Sequence, residues 1–437
     1  MGKPAVASIM EQFFPMTLAP QQRELRFTDY TLENGLHIIL HEDHNVPVVA
    51  VDVCYHVGSK NEDSERTGFA HLFEHLMFDG STNVKRGQFD EYITKAGGWS
   101  NAYTSWDKTN YYEVLPSHQL ELALWLESDR MTELAITEIS LATQRNVVKE
   151  ERRWRVENQP YGTAEEQVFA RAYTIHPYRW PIIGSMEHLD RASLEDVKNF
   201  FKNHYAPNNA TLVITGDFDL EETTAMVNRY FAGIPSSSNA VPRLSIVEPT
   251  QSSEERGIVV DNVQFPAVYM AFHVPAEGHP DYYAMALLSD ILTNGESSRL
   301  YQKLVYEKKI AQDVTSHVYN LEHPGLFWIS ATAMSSTTAE SLENEVLSEL
   351  DRIVRQPVDE RELQKVKNQV RATITFGKQR ADQKADLLAH YAIIRGSTAL
   401  INTEINRFMM ITIDNLQRVA QKYLSMNNRT VIYYLPK

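Results

Sequence analysis

The sequence predicts an α+β protein made of two homologous domains. Segments with the two-residue alternation of strands occur among segments with the 3.6-residue period of helices. SLEDVKNFFKNHYAPNNAT, residues 193–211, aligns without gaps on TIDNLQRVAQKYLSMNNRT, residues 412–430, at an offset of 219 in a chain of 437 residues. This internal duplication leads us to expect, in each half, a mixed or antiparallel sheet with helices packed on one face.

A second repeat and a change of composition place the predicted domain boundaries. VVAVDVCYHV, residues 48–57, matches FPAVYMAFHV, residues 265–274. Between these repeats, residues 233–256 contain three prolines and six serines without helical periodicity, which is typical of a linker or of a long surface loop. We therefore predict one domain at residues 1–235, a linker at 236–256 and a second domain at 257–437.

The elements of the first half follow from local signals. Asn34-Gly35 predicts a hairpin turn between Leu25–Leu32 and Leu36–Leu40. Residues 46–57 form an apolar strand, and the aromatic and β-branched residues of 99–116 predict a strand or hairpin after Gly97-Gly98. Helices are predicted at residues 85–96, 117–134, 137–158, 194–204 and 220–231, a strand at 211–215 and a loop at 172–190.

The second half contains clear helix signals. An amphipathic helix covers residues 342–353 and ends before Pro357. Asp359 and Glu362 then form a capping box, which predicts the start of the next helix. Residues 265–274 predict a strand that corresponds to residues 48–57.

Composition excludes several classes of protein. Hydrophobic residues at 43% and charged residues at 23% are those of a soluble globular protein. A net charge of −15 argues against binding to nucleic acid. Cys54 is the single cysteine, so an intrachain disulfide is impossible, and its strand-like neighbours predict a small buried side chain.

The sequence contains no apolar run near the roughly 18–20 residues of a membrane helix. The opening MGKPAVASIM lacks the apolar core of a signal peptide, and Glu11 interrupts the apolar stretch that follows. We expect a soluble protein, with cytoplasm and periplasm both possible, since a cleaved signal would leave no trace.

The most informative segment is GFAHLFEHLMFD, residues 68–79. It lacks proline and surrounds His71, Glu74 and His75 with apolar residues, which predicts a largely buried helix. Residues four apart on a helix lie on one face, about 5–6 Å apart, so His71 and His75 could bind one metal ion. Glu74 lies three residues after His71, where it could act as a general base on a water molecule.

A lone histidine on an apolar helix is usually an ordinary core residue. Three ionisable groups within five residues are different, because burying them without a metal or polar partners would cost several kcal/mol. The group therefore favours a metal site over a purely structural role.

The pattern H-x-x-E-H is the signature of the inverzincins, and the sequence resembles the pitrilysin and insulysin family of zinc metallopeptidases, which includes the mitochondrial processing peptidases. The resemblance implies two domains that enclose a clam-like cavity and one zinc ion per chain. It further implies an endopeptidase that cleaves extended peptides or unfolded segments, with Glu74 as the catalytic base and His71 and His75 as metal ligands.

The same resemblance implies the third zinc ligand. Family members supply a glutamate some 70–77 residues after the second histidine, and 75 residues separate His75 from Glu151 in NVVKEERRW. The family alignment selects Glu151 and leaves Glu150 facing outward. A family carboxylate seven residues earlier is replaced by Gln144, whose amide could still accept a hydrogen bond from a metal histidine but lacks the negative charge.

Substrate binding is implied at Asn101, Ala102 and Tyr103. Together with Thr104 they resemble the N-A-x-T segment that forms an edge strand near the metal in this family. An extended peptide would add to that edge through main-chain hydrogen bonds. The alternative is a plain core strand.

The second half lacks the metal motif, as in two-domain members of the family, and departs from the family at one pair of positions. Residues 286–292, which align with the metal segment, contain no histidine. The family's arginine and tyrosine, which bind the substrate carbonyl, align with Val305 and Gln312. We therefore expect a homologous partner subunit that supplies the Arg/Tyr pair in a heterodimer, with a homodimer also possible.

Two other functions stay open at this point. One is a non-catalytic scaffold subunit of a larger assembly, and the other is a peptide-binding subunit that holds zinc without turnover. HPYRWPIIG, residues 176–184, also resembles a family segment, but we interpret it as structural and not as a source of metal ligands.

Overall fold

The computed structural model describes residues 24–237 and 241–437. The opening segment that bears on a signal peptide and the centre of the predicted linker, residues 238–240, lie outside the described residues. Within the described ranges, no helix combines the length and apolar character needed to cross a membrane.

The first half forms a mixed sheet. Its strands have the order β1-β2-β6-β3-β5-β4 and are antiparallel except for the β2/β6 pair. The strands are β1 Thr28–Thr31, β2 His37–Glu42, β3 Val48–Tyr55, β4 Trp99–Thr104, β5 Thr109–Pro116 and β6 Ala210–Gly216. The helices are α1 Phe69–Leu76, α2 Gln88–Lys95, α3 Leu120–Thr132, α4 Glu138–Arg152, α5 Ala164–Ala172, α6 Met186–Arg191, α7 Leu194–His204 and α8 Leu220–Phe231.

The second half repeats this plan with the order β7-β11-β8-β10-β9, in which β7/β11 is the parallel pair. The strands are β7 Glu255–Asp261, β8 Ala267–Val274, β9 Ala311–Val318, β10 Gly325–Ala333 and β11 Arg429–Pro436. The helices are α9 Pro280–Thr293, α10 Ala339–Arg355, α11 Glu360–Phe376, α12 Ala381–Ile393, α13 Glu404–Met409 and α14 Ile413–Tyr423.

The duplication extends to individual hydrogen bonds. Each half contains, towards its end, a helix, a short 3-10 turn and a strand, and a capping box begins each of the two helices. Asn209 Nδ2 donates to the carbonyl of His204 at 2.7 Å, and Asn428 Nδ2 donates to that of Tyr423 at 2.8 Å. The predicted α+β fold with two homologous halves is confirmed.

The sequence did not predict that one helix of each half packs on the sheet of the other half. Helix α5 packs on β8 and β11 of the second sheet, and α12 packs on β3 and β6 of the first. The reason lies in the strands, because β3 and β6 are buried along almost their whole length. A strand that is apolar on both faces needs cover on both faces.

Two local expectations need revision. The segment at residues 172–190 is not entirely loop, since α6 begins within it at Met186, and helix α5 had no sequence prediction. Both helices are short, so the helical period is sampled over too few residues to be distinctive. The domain boundaries stay a prediction, and β7 begins at Glu255, within the last residues of the predicted linker.

Candidate metal centre

The helix α1 has a fixed starting point. Gly68 precedes it in the left-handed conformation with φ 94° and provides no side-chain cap. The carboxylate of Glu62 takes this role, accepting hydrogen bonds from the backbone nitrogens of Gly68 and Ala70, both at 2.8 Å. Two donors of the first turn are thereby satisfied, and the position of the helix relative to the preceding loop is fixed.

The structure brings His71, His75 and Glu151 together. Glu151 Oε2 lies 3.0 Å from His75 Nε2 and 3.6 Å from His71 Nε2. One possible ligand atom from each side chain lies within 4.8 Å of the others. In the part of the chain that the structure describes, no second group of three such side chains comes this close.

The charge states of this cluster suit a divalent cation. Burial, with a smaller contribution from His75, lowers the pKa of His71 to about 4, so its imidazole is neutral at pH 7. A hydrogen bond with His75 lowers the pKa of Glu151. A neutral imidazole and a carboxylate are the forms that bind metal, and two histidines with one glutamate are a donor set of catalytic zinc sites.

The neighbouring glutamates of α4 face different environments. The side chain of Glu151 is 15% exposed, and its second oxygen, Oε1, lies 2.7 Å from Arg155 Nη1. The side chain of Glu150 is 70% exposed and pairs with Arg153. Arg155 belongs to the π-helical turn Arg153–Glu157 that follows α4, so this turn helps to hold Glu151 towards the histidines.

Glu74 lies beside the cluster and is held by one hydrogen bond. The hydroxyl of Thr104 on β4 donates to Glu74 Oε2 at 2.6 Å. Burial raises the pKa of Glu74, and the Thr104 hydrogen bond opposes this shift. A carboxylate with a raised pKa and one fixed oxygen is suited to accept and return a proton.

The predicted substrate residues lie on the edge strand β4. Asn101 is exposed, and its Oδ1 accepts a hydrogen bond from the nitrogen of Ala102 at 2.9 Å. Ala102 is half-buried against the core of the first half. The hydroxyl of Tyr103 donates to Asp386, so the phenol group is already engaged and the main chain of β4 is the part left for a peptide.

A cavity of about 360 Å³ lies between α1 and β4. Its walls combine the apolar ring of Phe78 with charged groups. The lining residues are Glu74, His75, Phe78, Asp79, Arg86, Gly87, Asp90, Asn101, Ala102 and Gln144.

Gln144 has a different role from the one considered from the sequence. Its Nε2 donates to Asp79 Oδ1 at 2.7 Å, and Arg86 Nε lies 2.9 Å from the same oxygen. Within residues 24–237 and 241–437, no hydrogen bond joins Gln144 to His71 or His75. The Gln144 amide therefore positions Asp79 in the cavity wall after α1, and it does not orient the two imidazoles.

Val305 and Gln312, the positions aligned with the family's arginine and tyrosine, line a second cavity of about 290 Å³. Gln312 Nε2 donates to the carbonyl of Ala333 at 2.8 Å. Tyr301, Tyr306, Lys309, Ala311 and Met334 complete the lining. The amide of Gln312 is thus engaged with β10, and Val305 offers no polar group.

Sequence reasoning missed three residues that orient the site: Thr104, Glu62 and Arg155. Thr104 was visible as the last residue of the N-A-x-T segment, yet only the fold shows which carboxylate it contacts. Glu62 and Arg155 carried no signal, because polar residues before a helix and in a charged run are common on surfaces.

Comparison with known proteins identifies the family. Residues 37–185 match the insulinase family, peptidase family M16, and residues 191–370 match the peptidase M16 inactive domain. A zinc protease named PqqE from Helicobacter pylori is 32% identical over 409 residues, which cover 93% of this chain and 92% of that protein. The chain belongs to peptidase family M16.

Other M16 proteins agree with this assignment. The mitochondrial-processing peptidase subunit beta of Lentinula edodes is 25% identical over 407 residues, covering 90% of this chain and 86% of that protein. A crystal structure of a protease from Helicobacter pylori superimposes with a TM-score of 0.91 at 31% identity, covering 94% of this chain and 100% of that chain. The resemblance seen in HLFEH is confirmed.

Proposed function

We propose that this M16 protein is a zinc-dependent endopeptidase that hydrolyses extended peptides or unfolded segments between its two halves. One observation carries the proposal: the convergence of His71, His75 and Glu151 beside Glu74, next to a sheet edge. Relatives named zinc proteases support it.

His71, His75 and Glu151 would hold one zinc ion per chain. When bound, zinc supplies Lewis acidity that lowers the pKa of water and polarises a carbonyl. Glu74 accepts the proton of the attacking water and then donates it to the leaving amine. The Thr104 hydroxyl keeps one oxygen of Glu74 occupied, so the other oxygen is left for the proton.

The edge strand β4 explains why the substrate should be extended. Its outer edge has no neighbouring strand among the described residues, so a peptide can pair with Asn101, Ala102 and Tyr103 through main-chain hydrogen bonds. The cavity between α1 and β4 would receive a side chain near the scissile bond. A folded segment could not present its backbone in this way.

The test combines metal analysis with a quenched-peptide assay. Wild type should contain one zinc ion per chain and cleave the peptide. Glu74→Gln should retain zinc and lose activity about 100-fold or more, as expected when a general base is removed. Zinc binding without turnover in wild type, both alone and mixed with a homologous subunit, would overturn the proposal and favour a scaffold or peptide-binding subunit.

Adjacent glutamates provide a matched pair for the ligand assignment. Glu151→Gln should lower zinc affinity strongly, because it removes a charged ligand. Glu150→Gln changes the same functional group one position away, on an exposed side chain, and should leave zinc content and activity unchanged. Equal effects of the two substitutions would contradict Glu151 as the ligand.

We further propose that a related subunit completes the site with an arginine and a tyrosine. Val305 has no polar group, and the Gln312 amide already donates to the carbonyl of Ala333, so neither replaces the arginine and tyrosine; one relative is named as a subunit. Mixing the purified chain with a homologous subunit that carries the pair should raise peptidase activity many-fold. Full activity alone, with native mass showing a monomer or homodimer, would refute the heterodimer.

A further inference from the structure

The substrate edge strand is held from both of its faces. Neighbouring residues of a strand point to opposite faces, and Thr104 and Tyr103 are neighbours at the end of β4. The hydroxyl of Thr104 donates a hydrogen bond to Glu74 on α1, whereas the hydroxyl of Tyr103 donates to Asp386. Asp386 lies on α12, the helix that the second half contributes to the first sheet.

A buried lysine fixes Asp386 in this position. Lys108 follows the turn after β4, and its Nζ lies 2.9 Å from Asp386 Oδ1 and 5.2 Å from the centre of the Tyr103 ring. The side chain of Lys108 is only 7% exposed. A buried ammonium group needs a counter-ion. If Asp386 turned away from Tyr103, it would leave the Lys108 ammonium unpaired, which would cost folding free energy.

The second half also contacts the turn between β4 and β5 through a second group of residues, centred on Asp107. Asp107 accepts hydrogen bonds from Lys60 Nζ and the Tyr178 hydroxyl, both at 2.6 Å, and from the Glu322 nitrogen at 3.0 Å. The carboxylate of Glu322 also contacts Lys60 and lies 2.7 Å from His56 Nε2. Residues of the second half therefore hold the turn between β4 and β5 through both Asp107 and Lys108.

We propose that Asp386 is a positioning residue for the peptide-binding strand, acting through Tyr103. The half without the metal cluster sets the register of β4 against α1, and with it both the edge that pairs with a peptide and the Thr104 bond to Glu74. This inference rests on the proposed function for the role of β4. Under this proposal the second half positions the peptide-binding strand directly, in addition to covering the first sheet.

The informative variant is Tyr103→Phe. It removes the hydrogen bond to Asp386 and leaves the Lys108–Asp386 pair intact. Asp386→Ala would instead leave Lys108 buried without its counter-ion and would endanger folding. Gln383→Ala is the control, because Gln383 lies on the same helix, is exposed, and its side chain makes no hydrogen bond to another described residue.

Hydrogen exchange measures the position of β4 directly, in the purified chain and without a substrate. In Tyr103→Phe, amides of residues 99–104 should exchange about threefold to tenfold faster, the effect of one lost hydrogen bond. Strands β2 and β3 should be unchanged, and Gln383→Ala should match wild type. Unchanged exchange in 99–104, or an equal increase across the whole sheet, would overturn the proposal.

Kinetics supply the second measurement. Tyr103→Phe should raise KM about threefold to tenfold at unchanged zinc content, whereas general destabilisation lowers the amount of active protein and so kcat alone. Faster exchange with unchanged KM would overturn the role in peptide binding. A wild type that cleaves no peptide, alone or mixed with a homologous subunit, would contradict the proposed function, while the exchange experiment would still decide the role of Asp386.

Discussion

At the scale of single residues, the site depends on side chains that orient others. Glu151 is held by Arg155 and Glu74 by Thr104, each through one oxygen. The second oxygen of Glu151 lies 3.0 Å from His75 Nε2, and the second oxygen of Glu74 makes no hydrogen bond to another described residue. The proposed catalytic groups could be recognised from their spacing, but their orientation comes from partners that have no fixed place in the sequence.

Thr104→Val tests this division of roles. Valine has nearly the shape of threonine but cannot donate to Glu74, so we expect kcat to fall about tenfold to a hundredfold, the cost of a lost hydrogen bond to a charged group. Zinc content should stay at one per chain. Thr104→Ser keeps the hydroxyl and should restore most of the activity; a serine variant as slow as the valine variant would show that packing, and not the hydrogen bond, matters.

At the scale of elements, the helix α1 is placed by its contacts at the N-terminus. The segment that ends at Gly184 passes so close to Gly68 that a Cβ on Gly184 would lie 2.3 Å from the Gly68 Cα. Gly184 also has φ 74°. This close approach, together with the Glu62 cap, fixes the start of α1 and therefore the position of His71 in its first turn.

Gly184→Ala should therefore destabilise the protein and weaken zinc binding together. The left-handed conformation alone costs an alanine roughly 1–2 kcal/mol, and the overlap with Gly68 adds about 1–3 kcal/mol. Gly396→Ala is the control, because Gly396 has φ 65° but open space where a Cβ would be. Chemical denaturation should show the larger loss for Gly184→Ala, and equal losses would contradict the close-packing argument.

At the scale of the whole molecule, the junction of the two halves contains titratable groups. His176 is 1% exposed, and its ring lies 5.0 Å from that of His323 in the second half. Its Nδ1 accepts from the Tyr178 nitrogen at 3.2 Å, and its Nε2 has no hydrogen-bond partner among the described residues. Burial, followed by the charge of His323, lowers the pKa of His176 to about 4.

Acid should consequently weaken the fold. Because the pKa of His176 is 6.5 when unfolded and about 4 when folded, the unfolded chain binds the extra proton between these values, and stability falls as pH drops through that window. We expect a loss of roughly 2 kcal/mol between pH 7.5 and pH 5. His176→Asn keeps an acceptor for the Tyr178 nitrogen without this titration.

Denaturation of both proteins at several pH values measures this difference. The variant should lose less stability on acidification than wild type. Parallel curves for the two proteins would show that His176 does not contribute, and a greater loss in the variant would reverse the sign of the argument.

The sequence by itself determined the fold class, the duplication and the spacing of the histidines and Glu74. These features are local or repeated: Asn34-Gly35 makes a hairpin, Asp359 begins a helix, and residues four apart share a helical face. The family assignment also followed from sequence, because HLFEH lies within one helix and needs no long-range contact to be recognised.

Only the tertiary structure decided how distant parts of the chain meet. It showed that Thr104 contacts Glu74 and that α12 brings Asp386 to the edge strand, and it placed Glu151, which the family alignment had already selected, beside the histidines. The physical reason is that these contacts join residues far apart in sequence. Their geometry is set by the packing of two sheets that need cover on both faces, which periodicity along one segment cannot specify.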